Sequence, residues 1–230
     1  MKKKALSLVL GLLVLLTFTN TAAALLADDF VLVYQTCSGE CPTITQDPSG
    51  YIILAADDND ITDGAGQTWG TWHYNKTFYG GVKVTYELTP GGGSLWGAAI
   101  GIIVYLDNGK TYAFYHNLHP NYIKEIGEDP GVPVDQSLKL GDLETNVQTT
   151  VEINPKSQLE TIGETGNIVK VIPYFEAFCR DTDSAWGDPT VLTIYNIEPL
   201  AYNVTFSLKD ALTGQSLTCL LYTSPSPRDS

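Results

Sequence analysis

Two kinds of side chain stand close enough together in this sequence to do chemistry. The first is a run of hard oxygen donors, Asp57, Asp58, Asn59, Asp60 and Asp63, closed by Gly64. Carboxylate oxygens in a short loop are what Ca²⁺ requires, so Asp57, Asp58, Asp60 and Asp63 are candidate calcium ligands, one residue longer than the Asp-x-Asp-x-Asp-Gly order. A solvated loop in an acidic chain reads the same residues without a metal. Asp181 and Asp183, beside Cys179 and Trp186, form a second oxygen-only candidate. The second kind is aromatic: Trp69, Trp72 and Tyr74 in one stretch, and Tyr112, Phe114, Tyr115, His116 and Tyr122 in another. Sugar rings stack their C–H faces on aromatic rings while Asn, Asp and Glu bond the hydroxyls, so an exposed aromatic strip predicts a saccharide-binding face. Trp69 and Trp72 are three apart and point to opposite faces of a regular strand, so one is core if the other is exposed. Tyr115 likewise opposes Tyr112, Phe114 and His116. Trp69, Trp72 and Tyr115 are therefore the candidate carbohydrate-binding residues, with core packing as the alternative for each.

Catalytic patterns are harder to find. Glycoside cleavage needs two carboxylates at a set separation. The nearest linear pair, Glu125 and Glu128, lies beside Gly127 and Pro130 and reads as a loop; Glu176 is a lone acid within a strand. There is no Gly-x-Ser-x-Gly elbow, and His116 and His119 lack the Glu of a His-Glu-x-x-His helix. No catalytic residue is predicted.

The elements that must position these side chains are strands. Apolar and polar residues alternate in short bursts at 30–34, 51–55, 67–74, 81–88, 98–106, 111–117, 146–153, 158–162, 168–178 and 191–197, separated by Gly, Pro, Asn and Asp. No helix is predicted. In 81–88, Val82, Val84, Tyr86 and Leu88 share one face and Lys83, Thr85 and Glu87 the other; 98–106 is apolar on both faces, as a central strand would be. Asp107-Asn108-Gly109-Lys110 predicts a tight hairpin with a primed turn. The fold class is all-β, an antiparallel β-sandwich of the jelly-roll type.

The chain has 230 residues and a net charge of −13. Residues 1–24 combine Lys2, Lys3 and Lys4 with an apolar run and Ala22-Ala23-Ala24, the layout of a secretory signal, which predicts a secreted or cell-surface protein without a membrane span in its mature part. At the other end, Cys219-Leu220-Leu221-Tyr222-Thr223-Ser224-Pro225-Ser226-Pro227-Arg228-Asp229 reads like a translated frame of a transposase sequencing adapter, so 219–230 is expected to be an artefact. Without these ends the charge is more negative still, which disfavours nucleic acid and leaves cations and neutral polymers as partners. Three cysteines remain, Cys37, Cys41 and Cys179: an exported chain predicts one disulfide among them, and spacing does not choose which. Asn75-Lys76-Thr77 and Asn203-Val204-Thr205 match the N-glycosylation pattern.

Asp28-Asp29-Phe30, then Ser49-Gly50-Tyr51-Ile52-Ile53-Leu54, then Asn75 through Leu88 and Ala99-Ile100-Gly101-Ile102-Ile103-Val104-Tyr105 form a succession that resembles the concanavalin A-like (laminin G-like) sandwich domains of exported proteins. The resemblance spans residues 28–199. Beyond a boundary at Glu198-Pro199-Leu200, Lys209-Asp210-Ala211-Leu212-Thr213-Gly214-Gln215 resembles the first hairpin of an immunoglobulin-like repeat of the carboxypeptidase-regulatory or Cna-B type. The expected organisation is a signal over 1–24, a lectin-like sandwich over 25–199 and the start of an immunoglobulin-like domain over 200–218. The resemblance implies an exported, non-catalytic module that binds carbohydrate or a cell-surface polymer, or mediates adhesion, within a larger protein. Its rivals are a polysaccharide-degrading hydrolase or lyase of the same fold, and a structural spacer. The oligomeric state is left open.

Overall fold

The computed structural model describes residues 24–37, 40–57, 67–92, 95–119, 126–180 and 188–200, with the backbone of 205–209 and 216–220. The strands are β1 (Phe30–Cys37), β2 (Thr43–Gln46), β3 (Ile52–Ala56), β4 (Gln67–Tyr74), β5 (Val82–Thr89), β6 (Leu95–Leu106), β7 (Thr111–Leu118), β8 (Gln136–Asp142) and β9 (Thr149–Ile153). A helix, α1 (Pro155–Thr161), precedes β10 (Ile168–Arg180), β11 (Thr190–Pro199), β12 (Thr205–Lys209) and β13 (Ser216–Leu220). One sheet has six strands in the order β1-β4-β10-β6-β7-β8; a second has five, in the order β2-β3-β11-β5-β9. The two sheets enclose one apolar layer, an all-β sandwich.

Period-two patterning builds that layer. Along β5, Val82, Val84, Tyr86 and Leu88 are buried while Lys83, Thr85 and Glu87 are half-exposed. Ile52 and Leu54 of β3, and Leu192 and Ile194 of β11, add to the same cluster from the five-stranded sheet. Opposite them stand Ile100, Ile102 and Val104 of β6, Phe114 of β7 and Phe175 of β10. β6 lies between β10 and β7, as its two apolar faces predict, and its outward residues are buried too.

Several expectations are corrected. Residues 158–162 are not a strand but most of α1: Asn154 caps it by accepting from the Lys156 N–H at 3.1 Å, Pro155 opens it, and Gly163 at φ 74° ends it. Cap chemistry outweighs the short apparent alternation there. β2 and β8 were not foreseen. β8 pairs in parallel with β7, so the sandwich is not wholly antiparallel, and the chain between them must cross back over the sheet. The hairpin at 107–110 is present, but only Gly109 has positive φ, at 84°. Leu106 accepts from Gly109 N–H at 3.1 Å and donates to the Lys110 carbonyl at 2.9 Å, a turn closed by a glycine bulge rather than a primed pair.

Cys37 and Cys41 form a disulfide with Cα atoms 4.9 Å apart, tying the end of β1 to the approach to β2 and so one sheet edge to the other. Cys179 stands outside that bond, buried, with Sγ 4.0 Å from the Asp188 carbonyl. β12 and β13 pair only with each other, and β13 runs on to Leu220, opposite Thr205.

Candidate functional site

The outward face of the six-stranded sheet is not solvent. Three rows of side chains cross it, set by strand register. The middle row runs Tyr34, Thr71, Glu176, Ala99 and Asn117 across β1, β4, β10, β6 and β7. Trp69, Phe178 and Gly97 form the row on one side; His73, Tyr174, Gly101 and Tyr115 form the row on the other. Small residues on β6, between β10 and β7, make the face a trough. A Cβ on Gly101 would run into the Tyr174 ring, and one on Gly97 would come within 3.3 Å of His119.

Residues 126–134, part of the crossover from β7 to β8, lie in this trough as a strap. Ile126 is fully buried against Trp69, Ala99 and Phe178. Gly127 is held from both backbone sides: its N–H donates to Glu176 Oε2 at 2.7 Å, and its carbonyl accepts from the Tyr174 hydroxyl at 2.5 Å. Its φ of 89° and the Tyr115 ring against its Cα leave no room for a side chain. Asn117 Nδ2 donates to the Ile126 carbonyl at 2.6 Å, Ser137 Oγ to the Glu128 carbonyl at 2.6 Å, and His73 Nε2 to the Pro130 carbonyl at 2.5 Å.

The electrostatics beneath the strap are those of a dry site. Burial holds the Glu176 carboxyl well above the usual carboxylate range; the Gly127 N–H pulls the other way, and the negative charge of Asp129 reinforces burial. Burial thus favours the neutral form of Glu176. Its Oε1, Thr71 Oγ1 and Asn117 Oδ1, all in the middle row, have no hydrogen-bond partner among the described residues. Tyr115 is pushed up to about 12 by burial and by Glu128 and Glu176. His73 is lowered chiefly by burial, against the opposing pull of the Pro130 carbonyl.

The predicted sugar platforms sit differently from expectation. Trp69 and Trp72 do face opposite sides, but both are closed over. Trp72 is 1% exposed in the sandwich core, and Trp69 is 6% exposed beneath the strap, edge-on to Phe178 and Tyr34 with ring centroids 5.6 and 5.9 Å away. Tyr115 is 4% exposed under Gly127. None offers an open ring face: pointing outward is not the same as facing water when a third layer covers the sheet. The exposed aromatic beside the strap is Tyr34, 43% exposed, at the sheet edge; Tyr79, 72% exposed, lies outside the strands of this face. Strict alternation from Phe30 would send Tyr34 inward; a register shift between Leu32 and Tyr34 turns it out. Between its ring and the strap lies a groove of about 580 Å³, walled by Glu128, Asp129, Val132, Pro133 and Val134.

Of the predicted calcium ligands, Asp58, Asp60 and Asp63 lie outside the described residues, as do Asp181 and Asp183; Asp57 follows β3 and is half-buried. Among the described residues, no group of three or more His, Cys, Asp and Glu side chains converges as a metal site. Among them also, no helix is long and apolar enough to cross a membrane.

No family model and no curated protein matches the chain. Solved structures that resemble it include the enzymatically active domain of tailspike protein 4 from bacteriophage CBA120, with a TM-score of 0.34 and 10% identity over 78% of this chain and 20% of that one. Another is an exo-β-agarase, with a TM-score of 0.22 and 11% identity over 78% of this chain and 24% of that one. The chain therefore spans about a fifth to a quarter of those proteins' length, and likeness of this degree assigns no role to the residues of the groove.

Proposed function

We propose that the chain is an exported carbohydrate-binding module and that the groove between Tyr34 and the strap holds the saccharide. The observation that carries this reading is the exposed Tyr34 ring, which borders the groove while Trp69, Tyr115 and Tyr174 of the same face are covered. A pyranose laid on that ring would turn its hydroxyls toward Glu128 and Asp129 and its C–H face toward Val132, Pro133 and Val134. Among the described residues no lysine or arginine lines the groove, and the chain is strongly acidic, which favours a neutral sugar over a uronate or sulfated one. The signal-like residues 1–24 and the Cys37–Cys41 disulfide support export.

Affinity electrophoresis and calorimetry against neutral and uronic oligosaccharides test the reading. Wild type is expected to bind a neutral polymer, and Tyr34→Ala to lose about 1 to 2 kcal/mol of stacking, a tenfold or larger fall in affinity. No binding to any neutral glycan, or unchanged binding by Tyr34→Ala, would remove the proposal. A second reading, cleavage of the same polymer, has one observation in its favour: Glu176 is a buried acid whose pKa is raised by burial and further by Asp129 on the strap. Release of reducing ends, abolished in Glu176→Gln, is its signature.

A further inference from the structure

The strap does two things at once. Its outer side is a wall of the groove, through Glu128, Asp129 and Val132, and its inner side is fastened to a carboxyl that has been taken out of water. We propose that residues 126–134 are a proton-controlled wall: with Glu176 neutral the strap lies closed in the trough, and loss of that proton releases it and reshapes the groove. That the groove holds a saccharide rests on the reading above; the movement does not.

The geometry supplies the coupling. Glu176 is fully buried in the middle row, and among the described residues the hydrogen bond to its carboxyl comes from the strap itself, at Gly127. Thr71 of β4 and Ala99 of β6, its register neighbours, bring no charge. On its own strand Tyr174 faces the same space, and from β7 Tyr115 does; both are uncharged phenols held above their ordinary values by burial. The strap contributes Asp129, a like charge, and Glu128, which acts on the adjoining Tyr115. His73 of β4 points to Pro130, and burial lowers its pKa. None of these groups is a cation that would hold an ionised Glu176 in place. A carboxylate there would keep one donor, the Gly127 N–H, which is too little to replace the hydration that the closed strap excludes.

Linkage then sets the size of the effect. Between the ordinary carboxyl pKa of the open state and the raised value of the closed one, each unit of pH moves the closed-to-open ratio tenfold. The direction is fixed: rising pH opens the strap.

Amide hydrogen exchange over residues 126–134, without any ligand, tests this. The quantity read is the ratio of wild-type to Glu176→Gln exchange at the same pH, so that the chemical rate cancels. The ratio is expected to stay near one at pH 4 to 5 and to climb tenfold or more by pH 8. A ratio that does not change with pH overturns the proposal. Should Glu176→Gln not fold, Tyr174→Phe takes its place: losing the hydroxyl on the Gly127 carbonyl, it is expected to exchange several-fold faster than wild type at pH 5 and to keep the rise with pH, after allowance for the chemical rate. Protection equal to wild type at both pH values would again sink it. A pH-dependent ratio without glycan binding at either pH upholds the movement and rejects the saccharide reading alone.

Discussion

At the scale of single residues, Glu176 carries the clearest energetic signature. Its folded pKa lies above the unfolded carboxyl value, so its contribution to stability is fully present below that unfolded value, near 4.5, and is lost as pH rises toward the folded one. Glu176→Gln, which cannot ionise, is therefore expected to melt with wild type at pH 4 and above it at pH 7 to 8, by up to about 1.4 kcal/mol per unit of pH crossed. Melting curves across that range check it; parallel pH profiles for the two proteins would refute the assignment. Glu176 was legible as an acid within a strand, but its surroundings were not, because the residues that desolvate it come from 126–127 and from three other strands. The same limit explains Trp69: that it faces away from Trp72 follows from spacing alone, and its burial follows from a segment with no period to read.

At the scale of elements, β1 stands apart from the other sheet edges. Val31, Leu32, Val33 and Tyr34 are each more than a third exposed, and Phe30–Cys37 carries no charge. β8 at the opposite edge has Lys139 and Asp142, β2 is only four residues long, and β9 is five long and carries Glu152. Charge and shortness blunt an edge against pairing with another chain, and β1 has neither. Leu32→Lys is therefore expected to lower light scattering during refolding at high concentration while shifting the melting point little; equal scattering would show that β1 is not the sticky edge. Elements differ in how far sequence announces them. Asn154-Pro155 carried the start signal of α1 in plain view, whereas β8 exists through parallel pairing with β7 across a long crossover, which no local pattern encodes.

At the scale of the whole molecule, the sandwich was readable because two buried faces impose alternation on many strands at once, and a single misread segment does not disturb that sum. The third layer was not readable, since the strap is packed by glycine, proline and backbone hydrogen bonds rather than by a repeating apolar face. The sandwich is complete by β11: Leu200 N–H donates to the Gly81 carbonyl at 2.8 Å, and β12 and β13 pair only with one another. A chain ended at Leu200 is thus expected to melt within error of the full chain by calorimetry. A fall of several degrees would mean that the last residues brace the sandwich.

The crossover that supplies the strap is also longer than its path demands. It leaves β7 at Leu118 and enters β8 at Gln136, which sits beside Tyr112, so its ends are separated by little more than the length of β7, roughly 20 to 25 Å at about 3.3 Å per residue. The 17 residues from 119 to 135 would reach more than twice that if drawn out. Contour length therefore allows residues 126–134 to rise from the trough without breaking a hydrogen bond between β7 and β8. Both anchors stay fixed, so the segment's return is a search within one molecule at an effective concentration of the order of millimolar. Closure should therefore be first-order, independent of protein concentration, and untroubled by dilution.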